Sequence, residues 1–372
     1  MVKSKEFIRE KLAERAGAGT YRSLKPDNTL VDFCSNDYLG FAGSHELKSK
    51  IEIELSKRLF IKNGATGSRL LAGNSDYTEE TERFISALHN SEAGLLFNSG
   101  YDANLGLFSS LPQRGDTIIL DELAHASIID GARLSFANRY TFKHNDLDSL
   151  EEKLRLAKGI CYVAIESVYS MDGDTAPIAA IAKLAERFGA ALIVDEAHAV
   201  GLHGLGLVDE QLQKQVFARV ITFGKALGCH GAIVLGSNEL RQYLINYARS
   251  FIYTTAASPH QVAAVKAAYE LLLNSKSEIE MLENNIRLFK QNVNTNISLI
   301  QSDNAIQCVI LKSNIKAKAI AAELQNNGLD VRAILSPTVA PGSERIRICL
   351  HSFNKTNDII LLTNIINKFA DA

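Results

Sequence analysis

The chain has little that marks an extracellular, membrane or nucleic-acid-binding protein. Its five cysteines, Cys34, Cys161, Cys229, Cys308 and Cys349, are odd in number and never form a CxxC pair. That argues against a disulfide framework and against a metal centre; they read as reduced thiols, mostly small buried hydrophobes. No apolar run approaches the roughly 18 residues that span a bilayer, so no membrane association is expected. Met1 to Glu6 carries basic residues but no apolar segment behind them, which predicts no secretory leader and a cytoplasmic location. A formal net charge of −2 and a pI near 6.5 offer no electrostatic reason to bind nucleic acid or an anionic membrane surface. The run Asp195-Glu196-Ala197-His198 spells the acidic box of nucleic-acid helicases, but the GxxxxGK[ST] phosphate loop that such enzymes need is missing. A GxSxG elbow is missing too, which sets aside a serine hydrolase. There is no internal repeat and no low-complexity linker.

What is present is an α/β pattern. At 46% hydrophobic and 22% charged residues the composition is that of an ordinary globular protein, long enough to bury a substantial core. From Thr78 to about residue 236, short apolar runs alternate with stretches of helical period. Seven runs read as strands: Gly94–Phe97, Thr117–Leu120, Tyr140–Phe142, Cys161–Ile165, Ala191–Val194, Val220–Thr222 and Gly231–Leu235. Such spacing predicts a mostly parallel sheet covered on both faces. Helices are expected over the first residues (with Phe7, Ile8 and Leu12 on one face), His45–Phe60, Pro177–Phe188, Pro259–Leu273 and Glu278–Asn296. Leu30–Cys34 is a further strand candidate, and Gly64–Arg69 reads as a small-residue loop. Gln307–Leu311, Ala317–Asn326, Val331–Ile334, Ile346–Leu350 and Asp358–Lys368 compose a small α+β tail. The expected division is an arm and joining strand (1–45), a large domain (46–250) and a small C-terminal domain (251–372).

Open α/β sheets present ligands at the carboxyl ends of their strands, and several strands here end in polar residues. Gly100-Tyr101 opens a helix after one strand, where free N–H groups and a glycine suit an anion; an ordinary turn would look the same. His125, Ser170, Asp195 with His198, and Thr222 with Lys225 follow the others. Singly each has a plain alternative: Asp195 as a helix cap, His198 as a satisfied polar group, Lys225 as a solvated amine. Together they place an anion cradle, a flat slot, a buried acid and an amine along one rim. Pyridoxal 5'-phosphate matches that set through its phosphate, its ring, its pyridine nitrogen and its aldehyde. A lysine in apolar surroundings is poised as a nucleophile, and an ionised aspartate keeps a pyridine nitrogen protonated.

Several longer motifs point the same way: Phe33 to Gly40, Gly67 to Asn74, His125-Ala126-Ser127, Ser170 to Asp174, Asp195 to His198, and Thr222 to Lys225. On these the chain resembles the α-oxoamine synthases, a family of fold type I pyridoxal-phosphate (PLP) enzymes, over nearly its whole length. The resemblance implies a large, mostly parallel PLP-binding sheet domain with a smaller α+β domain. It implies that Lys225 is the Schiff-base lysine and proton carrier, that Asp195 pairs with the pyridine nitrogen, and that His198 donates to the ring's phenolic oxygen near Ser170. His125 would stack on the ring, while Gly100, Tyr101 and Thr222 cradle the phosphate. Thr254 matches a threonine that reaches a neighbouring subunit's phosphate, which implies a homodimer with shared sites. Asn36 and Arg347 match substrate-contacting positions, the arginine gripping an amino-acid carboxylate, and Arg22 an arginine near the acyl substrate.

The implied activity is a decarboxylating Claisen condensation of an amino acid with an acyl thioester on CoA or acyl carrier protein. Ala333 to Arg347 and Lys143 to Asp146 resemble the branch that joins L-alanine to a pimeloyl group for biotin synthesis. His125 to Gly131 resembles the glycine-acetylating branch equally well; the serine-palmitoylating and aminolevulinate-forming branches are further alternatives. A PLP-binding relative without synthase activity is disfavoured by the intact Lys225, Asp195 and His125. Two departures bear on the pocket: a shortened glycine-rich loop after His198, and Ala226 where glycine or serine is common.

Overall fold

The computed structural model describes residues 2–24, 26, 28–58 and 62–370. All seven expected strand runs enter one sheet, each within two residues of its expected start. Counting a short strand β1 (Val31–Asp32) first, they are β2 (Ala93–Phe97), β3 (Thr117–Asp121), β4 (Asn138–Phe142), β5 (Cys161–Glu166), β6 (Ala191–Asp195), β7 (Ala218–Thr222) and β8 (Ala232–Gly236). Their spatial order is β2-β8-β7-β6-β5-β3-β4, and only β8 runs against its neighbours. Register puts Glu166 beside Asp195 and Asp195 beside Val220, so the ends of β5, β6 and β7 open onto one edge.

The sheet is hydrophobic on both faces because helices cover both. Ile118, Ala164, Ile193 and Val220 face a core that includes helix Gly100–Ser110 and helix Ala126–Leu134. Their chain neighbours Ile119, Val163, Leu192 and Val194 face the opposite core, with helix Leu147–Leu156 and helix Ile178–Arg187. This is the alternation that a pleated strand imposes. Each fully buried side chain of this size stabilises the fold by about 1.5–3 kcal/mol.

Helix starts follow their capping chemistry. Ser99 Oγ accepts from the Asp102 N–H, and Ser258 forms a reciprocal capping box with Gln261, behind Pro259 in the first turn. Pro177 sits at the cap of helix Ile178–Arg187, one residue before the first-turn position expected for it.

The tail forms a three-stranded antiparallel sheet from β9 (Ile306–Ile310), β11 (Arg332–Ile334) and β12 (Arg345–Cys349), with β12 central. Between β9 and β11 runs β10 (Leu329–Asp330), which pairs in parallel with β1. The expected strand Leu30–Cys34 is thus only two residues long: Cys34 and Ser35 turn their N–H groups onto Asp32 Oδ1 instead of a neighbouring strand. The single expected strand Val331–Ile334 is divided into β10 and β11, with Val331 between them. Helix His45–Ser56 stops four residues before the expected end, and Phe60 lies outside the described residues. Arg69 to Gly73, expected as loop at its start, forms one wide π turn. The first helix, Val2–Gly17, leaves Phe7, Ile8 and Leu12 at 59%, 55% and 45% exposure. Its apolar residues are therefore not absorbed by this chain's own core. Among the described residues no helix is long and apolar enough to cross a membrane.

Candidate active site

Two polar chains converge at the rim. The first starts at Lys225, three residues past the end of β7. Its Nζ lies 2.5 Å from His198 Nε2, and His198 Nδ1 lies 2.7 Å from the Tyr38 hydroxyl. Tyr38 in turn donates to Asn36 Oδ1 at 3.1 Å, which also accepts from Arg347 Nη2 at 3.0 Å. With Tyr38 committed as donor, His198 carries its proton on Nδ1 and leaves Nε2 to accept from the amine. Burial holds this imidazole well below its ordinary value, and the charges of Lys225 and Arg347 push the same way, so it is neutral.

Lys225 has no carboxylate within ion-pairing distance among the described residues. Burial pushes its amine down to about 8, against the opposing pull of Asp195 and Glu166. A lysine held this way spends part of its time as a free amine near neutral pH, the form that attacks a carbonyl carbon.

The second chain starts at Asp195. Its Oδ1 accepts the Ala197 N–H at 2.9 Å, and its Oδ2 accepts Asn104 Nδ2 at 2.7 Å. Asn104 also donates to Ser127 Oγ at 3.0 Å, and Ser127 Oγ lies 2.7 Å from His125 Nδ1. Asp195 is thereby oriented without being neutralised. Burial lowers the His125 imidazole as well, although Asp195 opposes it.

The remaining expected residues sit as follows. Gly100 opens its helix against Thr222, whose side chain would meet a Cβ at 3.4 Å; the first N–H groups of that helix have no intrahelical acceptor. Tyr101 stands edge-on to His125 with ring centres 6.5 Å apart, and its hydroxyl donates to Asp130. Thr254 accepts from Asn98 Nδ2 at 3.0 Å, within this same chain and two residues before Gly100. Ser170 offers its backbone carbonyl to Arg347 Nε at 2.8 Å. Arg347 is therefore occupied on all three nitrogens, the third facing Cys349 Sγ at 3.0 Å. Arg22 lies apart from both chains and bonds Thr338 Oγ1 at 3.3 Å.

The loop after His198 packs on the residue that follows Lys225. Gly201, at φ +94°, is packed so that a Cβ there would come 2.4 Å from the Ala226 methyl. The loop behind it is held by Glu196, whose Oε1 accepts the N–H groups of Leu207 and Val208. An alanine at 226 thus leaves no room for a Cβ at 201, and the glycine there fits it.

Sequence reasoning passed over Asn104, Tyr38 and Glu166. Asn104 was findable as a polar residue on the face of an otherwise apolar helix, between Ala103 and Leu107. Glu166 ends an apolar strand as Asp195 does. It is 3% exposed, its Oε1 has no hydrogen-bond partner among the described residues, and burial pushes its carboxyl up to about 8, with Asp195 adding to the shift.

PLP fits these residues. The donor set holds an amine with no ion-pair partner, an oriented carboxylate and a helix start facing the end of β7, and the buried Asn104 Oδ1 and Glu166 Oε1 have no hydrogen-bond partner among the described residues. Residues 28–361 match the model of the aminotransferase class I and II family. The chain belongs to that family.

Within it, 8-amino-7-oxononanoate synthase of Emericella nidulans is 42% identical, the alignment covering 95% of this chain and 93% of that protein. The structure of 8-amino-7-oxononanoate synthase from Francisella tularensis is 30% identical with a TM-score of 0.79, covering 93% of this chain and 99% of the other. Sphingomonas wittichii serine palmitoyltransferase is 26% identical with a TM-score of 0.89, over 99% and 97% of the two chains. This family member has the fold type I architecture and is a PLP-dependent acyltransferase of the α-oxoamine synthase group.

Proposed function

We propose that the protein condenses L-alanine with a pimeloyl thioester, on CoA or acyl carrier protein, to give 8-amino-7-oxononanoate and carbon dioxide in biotin synthesis. The observation that carries this is the 42% identity to the Emericella synthase over 95% of the chain, together with the converging polar chains around Lys225. When bound, PLP supplies an aldehyde for the amino group and a ring that draws electrons from the α-carbon.

Lys225 would hold the cofactor's aldehyde carbon, then take and return the proton at the substrate α-carbon, with neutral His198 Nε2 beside its Nζ. Asp195 would hold the ring nitrogen's proton, kept in line by Asn104 and Ala197. His125 would lie against the ring, and His198 and Ser170 near its phenolic oxygen. Gly100, Tyr101 and Thr222 would bind the phosphate, joined by Thr254 of a second subunit. Arg347 would grip the substrate carboxylate with Asn36 beside it, and Arg22 would meet the acyl donor. We take 1–45 as arm, 46–250 as cofactor domain and 251–372 as small domain. The exposed Phe7, Ile8 and Leu12 support assembly into a homodimer.

A second reading, serine palmitoyltransferase, is favoured by the higher TM-score of 0.89. A substrate panel separates the two. L-alanine with pimeloyl-CoA should release CoA faster than L-serine with palmitoyl-CoA or glycine with acetyl-CoA. A clear preference for either of the latter pairs replaces the biotin assignment.

A further inference from the structure

The turn after β5, Tyr169 to Asp174, contributes to neither polar chain except through the Ser170 carbonyl, yet it is bonded on both sides. Toward the large sheet, the His144 ring sits between Asp121 Oδ1 (2.9 Å) and Asp174 Oδ2 (2.7 Å), and Asn145 Nδ2 adds 2.8 Å to Asp174. Tyr169 closes over His144 edge-on at 4.4 Å. Toward the small sheet, carbonyl after carbonyl is taken. Ser302 Oγ and Asn304 Nδ2 donate to the Gly173 carbonyl at 2.8 and 2.7 Å, and Cys308 Sγ to that of Met171 at 3.1 Å. Gly173, at φ +80°, lies so close to β9 that a Cβ would come 2.3 Å from the Ile306 carbonyl oxygen.

The strand β12 docks on this turn in a fixed register. Arg345 and Arg347 are two apart and share one face of the strand. Arg345 Nη1 reaches Asp172 Oδ1 at 2.6 Å and the Met171 carbonyl at 3.1 Å, while Arg347 Nε reaches the Ser170 carbonyl at 2.8 Å. The Arg345–Asp172 pair is nearly dry, its side chains 8% and 13% exposed. A buried pair of this kind is costly to break from one side and strict in its geometry. Among the described residues Arg345 bonds Ser343, Met171 and Asp172 and no member of either polar chain.

We infer that Asp172 and Arg345 are positioning residues that set the direction of Arg347 toward Lys225, so that the turn carries the alignment between the two halves of the amino-acid site. The inference rests on the reading of Arg347 as the carboxylate grip. With the pair intact, the Ser170 carbonyl and Asn36 aim the guanidinium; with the charge removed, β12 loses the anchor that fixes its register on the turn.

The test uses the holoenzyme and L-alanine, titrated by the change in cofactor absorbance and then assayed at steady state. Asp172→Asn keeps the shape and removes the charge. It should weaken L-alanine binding by about tenfold and leave kcat at saturation within about threefold. The acyl donor's KM should stay put, and Arg345→Lys should retain more affinity than Arg345→Met. Unchanged L-alanine affinity overturns the inference. So does a loss of affinity matched by equal losses of kcat, cofactor retention and melting temperature, which is the mark of a merely structural role. Arg347→Lys serves as the control. If it leaves L-alanine affinity intact, the carboxylate-grip reading falls; if it weakens binding while Asp172→Asn does not, the positioning inference alone falls.

Discussion

Two acids adjacent in sequence, Asp195 and Glu196, have opposite fates. Glu196 is fully buried and fully answered: Arg219 reaches it from β7, and the N–H groups of Leu207 and Val208 complete its shell. Arg219, 1% exposed, also donates to Gln213 and to the Leu205 carbonyl. Asp195 is buried to nearly the same degree, 6% exposed, but among the described residues it receives only an amide and one backbone N–H, with no cation bonded to it. One pair is a closed structural account; the other is held ready with its charge unspent. Burial alone does not mark a site. A buried charge oriented by neutral donors and left without a counterion does, because folding gains nothing by leaving it so.

Breaking each member should therefore show in different measurements. The largest effect expected is for Lys225→Ala: kcat down by about a thousandfold or more, and borohydride no longer able to fix the cofactor to the chain. Persistence of borohydride fixation would move the role to another lysine. Next, Asp195→Asn should cost about a hundredfold or more in kcat with a smaller change in melting temperature, since the new amide oxygen can keep the Ala197 N–H and its NH2 can meet the unpartnered Asn104 Oδ1 if that amide turns over. Glu196→Gln should do the reverse. It strands Arg219 in the core and costs about 3–5 kcal/mol of stability, while kcat of the surviving folded fraction changes little. If both substitutions reduce stability alike and neither reduces kcat selectively, the contrast between the two acids is wrong.

The sheet was legible because buried parallel strands are apolar on both faces, so periodicity locates them without knowledge of their neighbours. The rim residues were legible for the same reason: a polar residue at the end of such a run stands out. What escaped were groups whose role depends on a partner distant in sequence. Tyr38 meets His198 across 160 residues and Arg345 meets Asp172 across 173. No local pattern encodes those pairings. Leu30–Cys34 looked like a strand because its composition is that of one; the Asp32 side chain competes for the backbone N–H groups and ends it early. Arg347 was read as suited to grip a carboxylate; its bonds to the Ser170 carbonyl, Cys349 Sγ and Asn36 Oδ1, two of them to residues far off in sequence, were not legible.

The smallest effect expected comes from the third acid on the same edge. Glu166 faces Asp195 across the β5–β6 register, the backbone N–H groups of His125 and Ser170, and the Lys225 amine. Burial raises its carboxyl from 4.5 to about 8, with the Asp195 charge contributing, so the folded protein binds a proton there that the unfolded chain releases. Between those two values the native state holds more protons than the unfolded one, and stability must fall as pH rises from about 4.5 to 8. Glu166→Gln mimics the protonated acid and removes that slope. The variant should melt at nearly the wild-type temperature at pH 5 and a few degrees above it at pH 9. An equal offset at both pH values would mean that Glu166 is ionised throughout. Asp195 would then share its edge of the sheet with a second acid that has no counterion, and the contrast with Glu196 would have to be redrawn as two open acids against one closed one.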